Sequence, residues 1–210
     1  GLTKQECAEG LHRQGLPKVF LVSDGPLMRG AIERGEMYAS SMIAVTPVSL
    51  QRKEVSLNTT RLGHIDATRT DQLSRALPEL MDQVWQCADF MKRNVPGFEN
   101  ACFSGLAPRI GIRETRRILG EYVLTLDDVS EARKRPDGIA KGCHEIDIHG
   151  VATGHWRRAI KDGGSYDIPY ATLIAQRLKN VLVAGRCMSA TREAHSSARV
   201  MGTCMAMGEA

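Results

Sequence analysis

The stretch Asn180-Val-Leu-Val-Ala-Gly-Arg186 decides the fold that this sequence predicts. It is a short apolar run ending in glycine, which is typical of a buried parallel strand. A loop rich in Ser, Arg and His follows, and the small and apolar residues of 202–210 then predict a buried helix. A strand that leads into a polar loop and a helix N-terminus forms the ligand crevice of open α/β sheets. The pattern therefore predicts an α/β protein with a cofactor pocket near residues 185–203.

Upstream of this stretch, the pattern is that of an α+β domain. Apolar residues at helical spacing predict a long helix over about residues 70–93, with a kink or break at Pro78. Thr125 is expected to cap a short helix, and Thr3 with Glu6 predicts a helix at the N-terminus. Strands are predicted over residues 18–23, 41–47, 54–61, 101–107, 109–124, 143–149 and 167–174. The second and third of these strands are expected to form an antiparallel hairpin.

Composition and charge limit the class of protein. The chain has 210 residues, 42% of them hydrophobic and 25% charged, which is ordinary for one globular domain or two small ones. The net charge of +4 suits an anionic small ligand and does not require nucleic acid. No apolar run approaches the roughly 20 residues that span a bilayer. The six cysteines form no CxxC pair, so reduced thiols and a cytoplasmic location are expected.

Arginines are concentrated in Gly111-Ile-Arg-Glu-Thr-Arg-Arg117. If this segment is a strand, Arg113 and Arg117 share one face, and Glu114 and Arg116 share the other. Arginines in a strand are costly unless they pair with acids or bind anions. The segment therefore predicts either an anion clamp at Arg113 or Arg116 or a purely structural Arg–Glu network. A nucleic-acid patch is disfavoured, because acidic residues interrupt the run and no aromatic residues interleave.

Candidate acid–base groups lie in His144-Glu-Ile-Asp-Ile-His149. On a strand, Asp147 and His149 share a face, and a histidine beside a carboxylate can carry protons. The spacing misses the HExxH motif by one residue, so no metal site is predicted. A structural histidine is the alternative. Tyr170 offers a phenol to a ligand or belongs to the core, and His195 either contacts a cofactor or is an exposed loop residue.

Several motifs occur in a fixed order along the chain. Pro96–Asn100, the GIRE(T/S)RR motif at 111–117, Gly120–Thr125, Ile146–His149 and Ile168–Tyr170 precede the C-terminal segment VLVAGRCMSATREAHSSARVMGTCMAMGEA. In this order they resemble the FAD-dependent oxidoreductase family that carries the GIRE(T/S)RR motif, from about Thr46 onward. The resemblance implies that FAD is the cofactor and that hydride passes between a small organic substrate and the flavin.

The resemblance also implies roles for individual residues. The C-terminal helix would direct its N-terminus at the pyrimidine edge of the flavin ring. The expected cofactor-binding residues are Gly185, Arg186, Ser189, Arg199, Met201, Gly202 and Thr203. The expected catalytic residues are His149 as proton carrier, Arg113 and Arg116 as anion clamp, and Tyr170. The chain departs from the family pattern at Ala171, Arg192 and Gly202.

The implied architecture has two domains. A substrate-side domain with a mixed or antiparallel sheet is expected over residues 1–175, and a strand and helix of a Rossmann-like FAD-binding domain over residues 176–210. No two glycines lie two residues apart, so the GxGxxG turn is missing, and the chain is expected to be an inactive C-terminal fragment of a two-domain flavoprotein. The alternative is a non-catalytic structural or ligand-binding fragment without a complete cofactor site. The expected partner is a small-molecule substrate, without nucleic acid or membrane, and homo-oligomerisation is left open.

Overall fold

A computed structural model describes residues 19–23, 25–39, 41–49, 51–149 and 155–210. The helix predicted at Thr3 lies outside the described residues. The described part contains both helices and strands, in keeping with the predicted α/β class. It divides into two compact units, the first reaching to Ile110 and the second beginning at Gly111.

The first unit is built on a three-stranded antiparallel sheet. Its strands are β1 (Val19–Leu21), β2 (Ile43–Ser49) and β3 (Glu54–Asn58), in the order β1-β2-β3. The predicted hairpin is confirmed, since β2 and β3 pair antiparallel with Val45 opposite Leu57. Helix α1 (Pro26–Glu33) connects β1 to β2 and buries Met28 and Ala31.

The long helix α2 (Thr70–Asn94) confirms the predicted helix of this region. Pro78 lies inside it, so the helix is not split there, although the ring removes one backbone donor from the helix; the predicted kink stays a prediction. The helix packs on the sheet through a core that includes Cys87, Phe90 and Met91. No helix in the described part of the chain is both long enough and apolar enough to cross a membrane.

The buried face of α2 differs from the predicted apolar stripe. Trp85, which belongs to that stripe, is exposed, whereas the polar Gln83 is buried. The Gln83 side chain accepts a hydrogen bond from the Arg61 amide at 2.8 Å and donates one to the Arg61 carbonyl at 3.0 Å. The polar Gln83 side chain can therefore be buried, because both its amide oxygen and its amide nitrogen are hydrogen-bonded.

The second unit contains two separate two-stranded antiparallel sheets and three helices. The strand pairs are β4 (Gly138–Gly142) with β7 (Tyr166–Pro169), and β5 (Ile146–His149) with β6 (His155–Arg158). The helices are α3 (Leu126–Ser130), α4 (Arg192–Ala198) and α5 (Met201–Glu209). Helix α4 packs against β5 and helix α5 against β4, around a core that includes Ile146, Tyr166, Met188 and Ala194.

Thr125 caps α3, as predicted. The Asp128 amide donates to the Thr125 hydroxyl, and the Asp128 carboxylate accepts from the Thr125 amide at 2.8 Å, so both halves of a capping box form. The same carboxylate accepts from the Tyr122 hydroxyl and pairs with Arg133. The fully buried Asp128 therefore joins the helix start to two neighbouring segments.

The strands predicted over 101–107 and 109–124 are wrong for residues 101–119, which form no regular strand. Only single bridges follow, from Gly120 to Ala175 and from Leu124 to Ala190. Residues 118–124 are held instead by isolated backbone hydrogen bonds, on one side to residues near Ala171 and on the other to residues near Ser189. A sequence with strand periodicity forms a strand only where a neighbouring strand runs beside it over several residues. Here each neighbouring stretch stays in register for only one or two residues.

The buried parallel strand predicted at 180–184 is also wrong. The stretch makes one antiparallel bridge, between Ile174 and Leu182, and the Val181 and Leu182 side chains are 41% and 57% exposed. A short 3₁₀ turn at Gly185–Cys187 follows. Burial of a parallel strand requires a parallel neighbour and a covering layer on each face, and no described strand runs parallel beside this stretch.

Candidate functional site

The arginine motif and the C-terminal loop are neighbours in the second unit. The Ile118 amide donates to the Cys187 carbonyl at 2.9 Å, and the Leu124 amide donates to the Ser189 carbonyl at 3.1 Å. The Thr191 amide in turn donates to the Leu124 carbonyl at 2.8 Å. Two segments that the sequence predicts as separate sites are therefore joined by main-chain hydrogen bonds.

Glu114 connects the motif to the start of α4. Its carboxylate lies 2.7 Å from the Arg117 guanidinium and 4.0 Å from that of Arg192, the first residue of α4. A strand would have placed Glu114 and Arg117 on opposite faces, so the predicted alternation along this motif is wrong. The sequence analysis did not assign Arg117 or Arg192 to the site.

Arg113, Arg116 and Arg199 have no acidic partner among the described residues. Arg113 and Arg116 are exposed, Arg199 is half-buried, and none of their guanidinium groups makes a hydrogen bond or ion pair with any described residue. Burial lowers the pKa of Arg199, and the charge of Arg113 lowers it further, against the opposing charges of Glu114 and Asp147.

The predicted pair of Asp147 and His149 is present at the end of β5. The His149 Nε2 atom lies 3.4 Å from an Asp147 carboxylate oxygen, and both side chains are half-buried. Arg157, opposite Asp147 on β6, places its guanidinium 3.6 Å from the other oxygen. The Asp147 amide donates to the Ser196 hydroxyl of α4 at 3.2 Å. Asp147 is thus positioned from two elements, and it can orient and stabilise a protonated imidazole.

His195 is buried inside α4, so it is not the exposed loop residue that the sequence also allowed. Its Nε2 lies 2.8 Å from the Arg186 carbonyl oxygen, so this nitrogen carries the proton and donates. Its Nδ1 is buried and has no hydrogen-bond partner among the described residues. Burial lowers the pKa of His195, the bond to Arg186 opposes this, and the charges of Arg117 and Arg199 lower it further.

Helix α4 itself was missed by the sequence analysis, which interpreted residues 187–201 as a loop. Thr191 precedes the helix, and its hydroxyl accepts a hydrogen bond from the Ala194 amide. Threonine followed by Glu193 in the first turn is a helix-start signal, and it would have predicted α4. The helix explains why Ser196 and Ser197 are buried.

Helix α5 begins at Met201 with its amide groups open. Its capping residue, Val200, provides no side-chain hydrogen bond, and the Met201 and Met205 side chains are 78% and 70% exposed. A Cβ atom on Gly202 would meet no heavy atom within 4 Å. The first amides of a helix have no partner inside it, so this end presents donors to a polar ligand.

The segment before α4 adds two further features. Gly185 adopts a positive φ of 76°, which a side chain would strain. The Ser189 hydroxyl is buried and without a hydrogen-bond partner in the described ranges, like the His195 Nδ1. Buried polar atoms are almost always bonded, so these two are chemically suited to contact a polar ligand.

Tyr170 lies apart from these contacts. It is exposed in a 3₁₀ turn after β7, where its amide donates to the Asp137 carbonyl at 3.0 Å. Its hydroxyl makes no hydrogen bond with a described residue. The described residues also contain no group of three or more His, Cys, Asp or Glu side chains that could hold a metal ion.

Comparison with protein families gives one match. The family model described as FAD dependent oxidoreductase matches residues 21–210, which is most of the chain. Neither the curated proteins nor the solved structures give a match. The matched range contains the arginine motif, the β5–β6 hairpin and the C-terminal helices.

Proposed function

The chain belongs to the FAD dependent oxidoreductase family, whose cofactor is FAD, and from this premise we propose that it serves hydride transfer between a small organic substrate and FAD. Within this reaction the second unit binds the substrate and carries the proton. The observation that carries the proposal is the Asp147–His149 pair, 3.4 Å apart at the end of β5.

FAD would be held by the C-terminal loop and the start of α5. The open amides of α5 and the unpartnered Ser189 hydroxyl fit a ligand rich in oxygen and nitrogen acceptors and donors. The proposed cofactor-binding residues are Gly185, Arg186, Ser189, Arg199, Met201, Gly202 and Thr203. When bound, FAD supplies the acceptor or donor of the hydride.

His149 would carry the proton that accompanies hydride transfer. An alcohol or amine that loses a hydride from carbon must also release the proton on its heteroatom, and an imidazole takes up such a proton near neutral pH. Asp147 holds the ring and stabilises its positive charge, while Arg157 and Ser196 fix the position of Asp147. Arg113 or Arg116 would bind an anionic group of the substrate. Tyr170, exposed after β7, would contact the substrate through its phenol.

The test compares His149→Gln with His144→Gln, a matched change at an exposed histidine of the same hairpin region. Each purified protein is incubated with FAD and desalted, and the visible spectrum gives the retained flavin. Bleaching of that flavin by a panel of small alcohols, amines and acids is then timed. We expect His149→Gln to keep its flavin and bleach about a hundredfold more slowly or worse, which is the usual loss for a general base. Full bleaching speed in this variant would remove the acid–base role.

The architecture that accompanies this function has two domains, with a substrate side over 1–175 and part of a Rossmann-like FAD-binding domain over 176–210. The exposed apolar side chains of Val181 and Leu182 support it, because a further domain would cover them. The same exposure favours a second candidate, a ligand-binding fragment without a complete cofactor site. A colourless protein after desalting would support the fragment, and a retained flavin band would oppose it. An upstream-extended protein would then be measured in the same way.

A further inference from the structure

We propose that helix α2 carries a self-association surface, through which two copies of this chain pair antiparallel about a two-fold axis. The surface consists of the side chains of Leu77, Met81 and Trp85 together with the ring of Phe103, and we call it the α2 stripe. All four residues lie in the first unit, so the surface does not depend on the reaction proposed above.

The α2 stripe is a second apolar face of the helix, distinct from the face that packs on the sheet. Leu77, Met81 and Trp85 follow one another at intervals of four residues, which places them in one row along the helix. Leu77 and Trp85 are about half exposed, and Met81 is partly buried. Cys87 and Phe90, which belong to the core of the first unit, lie about 120° or more around the helix from this row. The helix therefore has more apolar surface than that core covers.

The ring of Phe103 enlarges the stripe at Trp85. The two ring centroids are 5.3 Å apart and the ring planes are tilted by 58°, a geometry that favours aromatic pairs. Phe103 is itself about half exposed, so the contact covers neither ring completely. Exposed apolar side chains that lie together mark interaction sites, and aromatic residues contribute most of the binding energy at the centre of an interface.

The charges beside the α2 stripe indicate that the partner is a second copy of the chain. One flank of the stripe carries exposed residues in the order acid, base, acid, acid, base: Asp71, Arg75, Asp82, Asp89 and Arg93. Helical periodicity places all five within about 40° of one another around the axis. When two identical helices pair antiparallel about a two-fold axis, each flank meets its own copy.

Antiparallel alignment brings opposite charges together at both ends of α2. Asp71 and Arg93 are each 11 residues from Asp82, and Arg75 and Asp89 are each 7 residues from it. With Asp82 at the two-fold axis, Asp71 faces Arg93 of the other copy, and Arg75 faces Asp89. Arg75 already lies 2.7 Å from Asp71 in its own chain, so two acids and two bases meet at each end.

The same surface disfavours a parallel pair. In a parallel pair the charged flank would lie against the other flank of the helix, where Leu73 and Val84 provide no charge. In the antiparallel register, Trp85 of one copy lies between Leu77 and Met81 of the other. The two Asp82 side chains meet at the axis, and their repulsion weakens the pair. The charges therefore favour a reversible antiparallel dimer.

The experiment is sedimentation equilibrium of the 210-residue chain over a range of concentrations. Because the stripe is small compared with standard interfaces, we expect a dimer with a dissociation constant of about 10–100 μM. Leu77→Ser and Trp85→Ser should each weaken association about tenfold or more, since each contact is lost in both copies. Val48→Ser, at an exposed aliphatic residue of β2, is the matched control and should stay within about twofold of wild type. Circular dichroism of each variant establishes that it is folded.

Charge reversal tests the alignment of the two helices. Arg75→Glu sets a negative charge opposite Asp89 of the other copy, and Asp89→Arg sets a positive charge opposite Arg75. Each should weaken the dimer about three- to tenfold. The double variant should recover at least the wild-type affinity, because two acids then face two bases at each end. Asp82→Asn should tighten the dimer, because it removes the repulsion at the axis.

Each of the following outcomes would overturn the inference. Wild type that remains monomeric at about 1 mM would assign the α2 stripe to a different partner. A dimer that survives Leu77→Ser and Trp85→Ser, or that Val48→Ser weakens equally, would lie elsewhere on the chain. A double charge variant as weak as the single ones, or an Asp82→Asn variant that does not tighten, would exclude the antiparallel register. If Trp85→Ser does not fold, Leu77→Ser and the charge variants still decide.

Discussion

Tyr166 and Gly142 face each other across the β4–β7 pair so closely that a Cβ atom on residue 142 would lie 2.2 Å from the tyrosine ring. The ring is fully buried, and its hydroxyl shares a hydrogen bond of 2.8 Å with Ser197 of α4. Ser197 in turn donates to the His144 carbonyl just before β5. The glycine thus makes room for a side chain that connects three elements of the second unit.

Replacing Gly142 by alanine should therefore destabilise the second unit by about 1–3 kcal/mol, since the ring cannot retreat without losing its hydrogen bond. The measurement is urea unfolding followed by circular dichroism. Gly208→Ala is the matched control, because a Cβ there meets nothing within 4 Å. It should be neutral or slightly stabilising. Equal stability of Gly142→Ala and wild type would show that the tyrosine has space to move.

Asp128→Asn should lower the free energy of unfolding by about 1–3 kcal/mol at neutral pH. The variant loses the negative charge that faces Arg133, and its amide group cannot accept hydrogen bonds from Tyr122, Thr125 and Arg133 together. Burial alone would raise the pKa of Asp128, but the hydrogen bonds from Thr125 and Tyr122 and the charge of Arg133 bring it below its usual value. A lowered carboxyl pKa stabilises the fold above the unfolded value, near 4, and this contribution disappears as the pH falls through the lower folded value. The difference in unfolding free energy between variant and wild type should shrink in acid. A difference that is constant with pH would contradict this account.

His195 should make the fold less stable at mildly acidic pH. Burial lowers the pKa of its imidazole, so the unfolded chain binds a proton before the folded chain does. The free energy of unfolding then falls as the pH drops below about 6.5, by at most about 1.4 kcal/mol per pH unit for this residue. In His195→Gln, the free energy of unfolding should lack this decrease at acidic pH, whatever the absolute stability of the variant. Parallel pH profiles of the two proteins, measured by urea unfolding, would mean that His195 already titrates normally.

Alkylation should separate the described cysteines by burial. Burial raises the pKa of Cys87 to about 11, and the thiol is almost fully covered by the core of the first unit. Only thiolates react with iodoacetamide, so at pH 8 the exposed Cys102 and Cys143 should be labelled while Cys87 stays free. Mass spectrometry of tryptic peptides gives the labelled fraction of each site. Labelling of Cys87 should appear only in denaturant, and its rapid labelling in the native protein would show that α2 opens.

The local elements could be predicted because their signals are local. The β2–β3 hairpin follows from alternation around the polar turn at residues 51–53, α2 from helical spacing, and α3 from Thr125 followed by two acids. Each of these patterns is satisfied by residues within a few positions along the chain.

The strands that were wrongly predicted depend on partners far away in sequence. An apolar run such as Val181–Ala184 predicts burial, yet burial also requires a neighbouring strand, and the described residues provide a single bridge at Leu182. The arginine motif failed for the same reason. It forms no ladder with another strand, and only Ile118, directly after it, bonds to the Cys187 carbonyl, a contact that no periodicity indicates.

The sequence predicted which residues belong to the candidate site better than it predicted how they are arranged. The pairing of Asp147 with His149 follows from alternation on a strand, and the structure places the two side chains together. The contact of His195 with the Arg186 carbonyl does not follow from any spacing, because it requires α4, a helix that the sequence analysis missed.

The segment from Ile118 to Leu124 exchanges main-chain hydrogen bonds with two other stretches, one around Ala171 and one around Ser189, and it donates most of them. Both stretches are distant in sequence, so closing these contacts costs loop entropy that local structure cannot repay. We therefore expect residues 118–124 to acquire their position late, after the C-terminal loop has docked. A chain that has formed only its hairpins and helices would contain every residue of the site, but these residues would not yet be arranged to bind a ligand. Ligand binding is therefore expected to appear only after the helices and hairpins have formed and these distant contacts have closed.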